Sequence, residues 1–162
     1  MEDERRRTPG DRGFGGGSPD PPGAGVTAFA VGGLAEAYVA KAEGAHGHPH
    51  AAALKMAKRA CRAALRQGRL FHGGAPSAMR CQGTYEWVRG KHAAARRWWE
   101  RNLSIAHKLG AQYDVGMTSL EMGRRTADPA LLKRAEAVFL EIGAELDLAT
   151  TRRLQESLAA AL

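Results

Sequence analysis

The segment His92 to Gly110, HAAARRWWERNLSIAHKLG, reads as one long amphipathic helix with a tryptophan pair at its centre. An earlier segment, His50 to Gly68 (HAAALKMAKRACRAALRQG), repeats its plan: the same His-Ala-Ala-Ala opening, a bulky middle and a closing Gly. A third, Ala130 to Gly143 (ALLKRAEAVFLEIG), is shorter and closes the same way. A helical unit with one apolar face cannot bury that face alone, so recurring units must cover one another. The chain is therefore constrained to a helical-repeat scaffold.

Ala, Leu, Arg and Glu are abundant and only 6% of the residues are aromatic, a bias that favours helix nearly everywhere. The fold class expected is all-α. Residues 1–25 are rich in Pro, Gly and charge (TPGDRGFGGGSPDPPGAG) and read as a disordered tail, because little there can be buried to offset chain entropy. Residues 26–162 form the expected folded domain, and the 1–25 segment is unlike the start of such a domain.

The first expected helix, Val26 to Glu43, places Phe29, Leu34, Ala37 and Tyr38 at helical spacing; its Gly32-Gly33 pair weakens it but permits close approach of a neighbour. The second, His50 to Gln67, aligns Leu54, Ala57, Cys61, Ala64 and Leu65, with Gly68 fitting the left-handed position past its end. After a loop at 69–75, the third, Pro76 to Arg89, carries Met79, Gly83, Trp87 and Val88. Gly90-Lys91 is a tight turn, so the fourth, running to Leu109, must pack antiparallel to the third. The fifth, Ala111 to Thr126, presents Tyr113, Val115, Met117, Leu120 and Met122. Asp128-Pro129 reads as an N-cap followed by Pro at the first helical position. The sixth, Ala130 to Ile142, presents Leu131, Leu132, Ala135, Val138, Phe139 and Ile142. The last segment, Ala144 to Leu162, aligns Leu146, Leu154, Leu158 and Leu162 as a terminal cap.

The formal charge of +7 is unevenly spread. Residues 55–101 hold twelve Lys and Arg against Glu86 and Glu100, a local +10, whereas residues 102–162 hold seven bases against eight acids. A patch of that sign suits a nucleic acid or an acidic protein, and it equally suits the solvated faces of Arg-rich helices. No run reaches the roughly 20 apolar residues that a membrane-spanning helix needs, and the acids at Glu2, Asp3 and Glu4 are wrong for a signal peptide. A cytoplasmic location with no membrane association is the expectation. Cys61 and Cys81 make no close pair in sequence and, lying in helical patterns, are expected to be small buried thiols rather than a disulfide or a nucleophile.

Two hairpins share a register. Gly83, Ala95 and Trp99 recur forty residues later as Gly123, Ala135 and Phe139: a small residue on each helix lets the pair approach, and the aromatic fills the space beside them. In this pattern the chain resembles the tetratricopeptide repeat, with Asn102 standing where the family has Ala and no Pro ending either pair. The closing motifs LGAQYD (Leu109 to Asp114) and IGAELD (Ile142 to Asp147) lie thirty-three apart instead of forty, which leaves the register of the second hairpin open by seven residues. The run YEWVRGKHAAARRWW followed by LGAQYDVGMTSLEMGRR looks like the C-terminal helical tails of bacterial signalling ATPases of the AAA/STAND type, some fused to kinase or nucleotide-cyclase modules. The likeness covers residues 75–155. It implies a right-handed stack of about three antiparallel hairpins with a C-terminal capping helix, and it raises the expectation that the chain is a detached tail. It further implies that the first helix of each hairpin lines a concave groove, placing Arg80, Thr84, Trp87, Leu120 and Arg124 in a partner-binding position.

Catalytic signatures are scarce. No Gly-rich loop ends in Gly-Lys-Ser/Thr, and neither Gly-x-Ser-x-Gly nor His-Glu-x-x-His occurs. His46, His48 and His50 alternate as His-x-His-x-His, but a zinc site would need a further ligand that no nearby residue supplies, so a polar loop is expected and no metal. Trp98 and Trp99, beside Arg96, Arg97 and Arg101, form an aromatic–basic cluster able to stack on bases, although Trp99 occupies the core position of the repeat. The pairs Arg124-Arg125 and Arg152-Arg153 are expected to be solvated. The function expected is a noncatalytic protein-interaction or regulatory module, without cofactor, whose partner is a protein or peptide such as an ATPase, kinase or cyclase module. The alternative is a nucleic-acid binder using the basic 55–101 region.

Overall fold

The structure, a computed structural model, describes residues 24–70 and 72–160. Among the described residues seven α-helices follow one another: α1 (Ala24–Gly44), α2 (His48–Leu70), α3 (Ala75–Val88), α4 (His92–Lys108), α5 (Gln112–Thr126), α6 (Pro129–Ile142) and α7 (Glu145–Ala160). A 3-10 turn, His72–Gly74, joins α2 to α3. The fold is all-helical, with no strand among the described residues. The expected tail lies outside those residues, except that Ala24 and Gly25 already belong to α1.

Local chemistry explains the breaks. Gly47, Gly90, Gly110 and Gly143 all adopt positive φ, where a side chain would be strained. The Asp128 carboxylate accepts hydrogen bonds from Ala130 N at 2.9 Å and Leu131 N at 3.4 Å, with Pro129 in the first turn of α6. Gly68 corrects an expectation. It lies buried inside α2, which runs on to Leu70, and it is small because the backbone of Ala75 passes there: a Cβ would stand 2.9 Å from Ala75 Cα.

The helices pack in a simple order. α1 lies on α2, α3 on α4, α5 on α6, and α7 on α6. The odd-numbered helices also touch in succession, α1 with α3, α3 with α5 and α5 with α7. The backbones of α2, α4 and α6 stay apart from one another, and long side chains reach across, as where Arg134 meets His107 Nε2. The first three helices bury a core of small residues, including Ala35, Val39, Ala57, Cys61, Ala64 and Ala78. At the other end Leu120, Leu132, Ala135 and Phe139 are covered by Leu148, Leu154 and Leu158 of α7. Between them Trp99 is 0% exposed, its Nε1 donating to the Arg80 carbonyl at 3.3 Å.

The register of the α5–α6 hairpin differs from the forty-residue frame. In α3–α4, a Cβ on Gly83 would stand 2.4 Å from Trp99 Nε1, so this glycine makes room for the indole. In α5–α6 it is Gly116 that faces the Phe139 ring, while Gly123 faces Leu131 and Leu132. Gly116 lies thirty-three residues after Gly83, the same interval that separates the two closing motifs. An antiparallel pair matches residues by their distance from the turn, and Phe139 stands two helical turns further from Gly123 than the frame allows.

Other faces are rotated from expectation. Leu34 is 52% exposed, and α1 instead buries Gly32, Ala35, Val39 and Ala42. Of the glycine pair, a Cβ on Gly32 would stand an ordinary 3.6 Å from Ser77 Oγ, and one on Gly33 would meet nothing within 4 Å among the described residues. In α5, Tyr113 is exposed, and Thr118 and Ser119 are buried where Met117 and Met122 are only half-buried. Thr118 is accommodated because Asn102 Nδ2 donates to its Oγ1 at 2.7 Å across the α4–α5 contact, whereas the Ser119 hydroxyl is buried without a hydrogen-bond partner among the described residues. In α7, Leu146 is 86% exposed and Leu148 takes its place on the core, while Leu162 lies outside the described residues.

Candidate functional site

Because the odd-numbered helices touch in series, each contributes residues to one shared surface. There they enclose a groove of about 310 Å³. Val39 and Ala40 from α1, Met117 and Leu120 from α5, and Leu154 from α7 form its apolar floor. Arg80 and Thr84 of α3 rise between them. The space is at the lower end of the range for ligand pockets, roughly 300–1,000 Å³.

Charge surrounds the floor in closed pairs. Arg80 meets Glu36 at 2.5 Å. Arg125 sets a two-pronged contact on Glu43, Nη1 to Oε1 at 2.9 Å and Nη2 to Oε2 at 2.8 Å, which ties α5 to α1 across α3. Its Nε also donates to Glu121 Oε1 at 2.7 Å, and Arg124 reaches Glu121 Oε2 at 2.9 Å. Thr84 Oγ1 adds a hydrogen bond of 2.7 Å to Glu121. Burial alone would push the Glu121 carboxyl upward; the charges of Arg125 and Arg124, with hydrogen bonds from Arg125 and Thr84, outweigh it and hold the group below its ordinary range. Three carboxylates and three guanidiniums therefore balance in the groove.

Four of the five expected partner-binding residues, Arg80, Thr84, Leu120 and Arg124, line this groove together. Trp87 does not. Its ring stacks on His92 with centroids 4.1 Å apart and leans on Trp99 at 5.7 Å, so it seals the end of the α3–α4 hairpin. Arg125, expected to be solvated, is the most deeply placed cation of the network, its side chain 6% exposed. Arg152 is likewise paired, with Glu136 at 2.8 Å. The clue to Arg125 was a base one helical turn after Glu121, the favourable order for a pair on one helix.

The histidine run divides. His50 Nδ1 stands 2.7 Å from the carbonyl of Ala42, tying the start of α2 to the end of α1, while His46 and His48 are exposed. No cluster of three or more metal-ligating side chains occurs among the described residues. The cysteines are free and buried, as expected, and the fold brings them side by side. Cys61 Sγ of α2 and Cys81 Sγ of α3 lie 3.5 Å apart in the buried core, brought together by helix packing over twenty residues of chain. The hydrogen bond with Cys61 and burial both push the Cys81 thiol far above its ordinary range, so it stays protonated. No helix among the described residues is long and apolar enough to cross a membrane.

No family model matches the chain, and no curated protein or solved structure matches it either.

Proposed function

We propose that the chain is a noncatalytic interaction module, a tetratricopeptide-like right-handed stack of three hairpins capped by α7, whose groove holds a peptide segment of a partner protein. One observation carries the proposal: α1, α3, α5 and α7 all line one groove, while α2, α4 and α6 remain outside it. Successive first helices facing a common concavity are what peptide-holding helical repeats present. The floor suits one apolar anchor side chain, and the paired rim charges offer hydrogen bonds without a net field. Such balance favours a peptide over a polyanion. A signalling protein carrying an ATPase, kinase or cyclase module would be served by a tail of this kind. Cys81, the thiol at the groove wall, is held protonated and suits a wall better than a nucleophile.

The test is a selection of random peptides on the immobilised full chain, followed by Kd measurement with Leu120→Arg and Met117→Glu. Selected peptides sharing one apolar anchor and weakened at least tenfold by both substitutions are the expected result. Selected peptides that bind both variants as tightly as the unsubstituted chain would overturn the groove assignment.

A further inference from the structure

Outside the groove the charge is distributed quite differently. α2 has no acidic residue, and Lys55, Arg59, Arg62, Arg66 and Arg69 follow at intervals of three and four, which places them along one side of the helix. All five are exposed. On α4, Arg97 and Arg101 are exposed one turn apart. The ion pairs among the described residues engage Arg80, Arg89, Arg124, Arg125 and Arg152. None of them engages a base of α2 or α4, so about ten cations on this pair of helices have no carboxylate partner among the described residues. Unpaired like charges repel one another and destabilise the compact state unless an anion covers them.

Between these helices lies a second cleft of about 140 Å³. Arg69 of α2, Arg101 and Trp98 of α4, and Leu65 and Met79 line it, with Ala75 and Ala78 also in its wall. Trp99 is fully buried, whereas Trp98 keeps part of its ring exposed toward this cleft. The aromatic–basic cluster is thus split by packing into one core residue and one surface residue.

We propose that the outer face of α2 and α4 binds single-stranded nucleic acid, with the backbone following the α2 stripe and one base stacked on Trp98. The fourteen steps from Lys55 to Arg69 make the stripe about 21 Å long at 1.5 Å per residue. That length spans roughly six phosphates at the 3.4 Å spacing of a helical strand, and fewer in an extended one. A cleft this small admits one planar ring and excludes a base pair, whose bases are already stacked inside the duplex. The guanidiniums of Arg69 and Arg101, which line the same cleft as Trp98, fit the flanking phosphates. The site is separate from the groove, so the two proposals stand or fall independently.

The experiment is fluorescence anisotropy of the full chain with labelled twelve-nucleotide oligo-dT and oligo-rU, with a duplex of equal length, and with poly-glutamate as competitor. With about four phosphates neutralised, a slope near −0.7 per contact weakens single-strand binding about fiftyfold between 50 and 200 mM salt. Trp98→Ala is expected to weaken it about tenfold and Trp98→Phe to restore most of the loss. Arg62→Gln, Arg66→Gln and Arg69→Gln combined should flatten the salt dependence. Should Trp98→Ala fail to fold, Arg101→Gln alone, at an exposed position, must still weaken binding at least threefold. Duplex bound as tightly as the single strands, displacement by poly-glutamate at equal charge, a flat salt response, or wild-type affinity in a folded Trp98→Ala chain would each overturn the proposal. Equal affinity for dT and rU supports it through shared phosphate and base chemistry; a preference for rU supports it and identifies the strand as RNA.

Discussion

Gly116 lies directly beneath the ring of Phe139, so close that a Cβ at residue 116 would stand 2.6 Å from Phe139 Cε1. The aromatic can fill the α5–α6 interior only because that position has no side chain. Gly116→Ala is therefore expected to destabilise the fold by about 1–3 kcal/mol, despite the gain in helix propensity. Gly123→Ala meets the flexible end of Leu132 at 2.9 Å and should cost less than Gly116→Ala. Urea unfolding followed by circular dichroism distinguishes them; equal losses, or a larger loss at 123, would restore the forty-residue register.

Ala127 ends α5 in the left-handed conformation, with φ of 52° and ψ of 39°. A Cβ is strained there by about 1 kcal/mol relative to glycine. Ala127→Gly is expected to stabilise the chain by about 0.5–1 kcal/mol and raise its melting temperature.

The Glu121 carboxyl is held below its ordinary value in the fold, so its contribution is complete above the unfolded pKa and is lost as pH falls through the folded one. The ordinary value is 4.5, which places the loss below about pH 4.5. Glu121→Gln should cost about 2 kcal/mol at pH 7 by weakening bonds to Arg125, Arg124 and Thr84. The difference between the two chains should shrink on acidification from pH 5 toward pH 3. A difference constant over that range would show that the network is not formed.

Both thiols are buried and Cys81 is kept protonated, so neither should react with a disulfide reagent at pH 8 in the folded chain. Reaction is expected at the rate of opening, rising steeply with denaturant. Immediate stoichiometric labelling without denaturant would contradict the packing of α2 on α3.

Much of this fold was legible in local patterns. The helices α3 to α6 end where glycine, Asp128 and Pro129 require them to, because caps and turns are set by neighbouring residues. What local pattern could not supply was which face meets which neighbour. Leu34 reads as core by its apolar character, yet an alanine-rich face is buried because small side chains let α1, α2 and α3 approach closely. Thr118 is buried beside Asn102 of another helix, which partners its hydroxyl, and no local pattern on its own helix signals that. The Cys61–Cys81 contact likewise depends on the packing of α2 against α3. Arg80, Thr84, Leu120 and Arg124 line the groove although the forty-residue frame that singled them out does not hold in the second hairpin, so their meeting there follows from the packing of α3 beside α5. Trp87 does not join them, since its ring turns toward His92 and Trp99 at the hairpin end.

The account rests on α1 and α5 meeting across α3, and the contact of Arg125 with Glu43 tests it most directly. In an Arg125→Lys chain, a zero-length carbodiimide should join the new amine to the Glu43 carboxylate, and mass spectrometry of the digest should find residues 43 and 125 in one cross-linked peptide. A helical, cooperatively melting chain that never yields that cross-link would contradict the arrangement and the groove built on it.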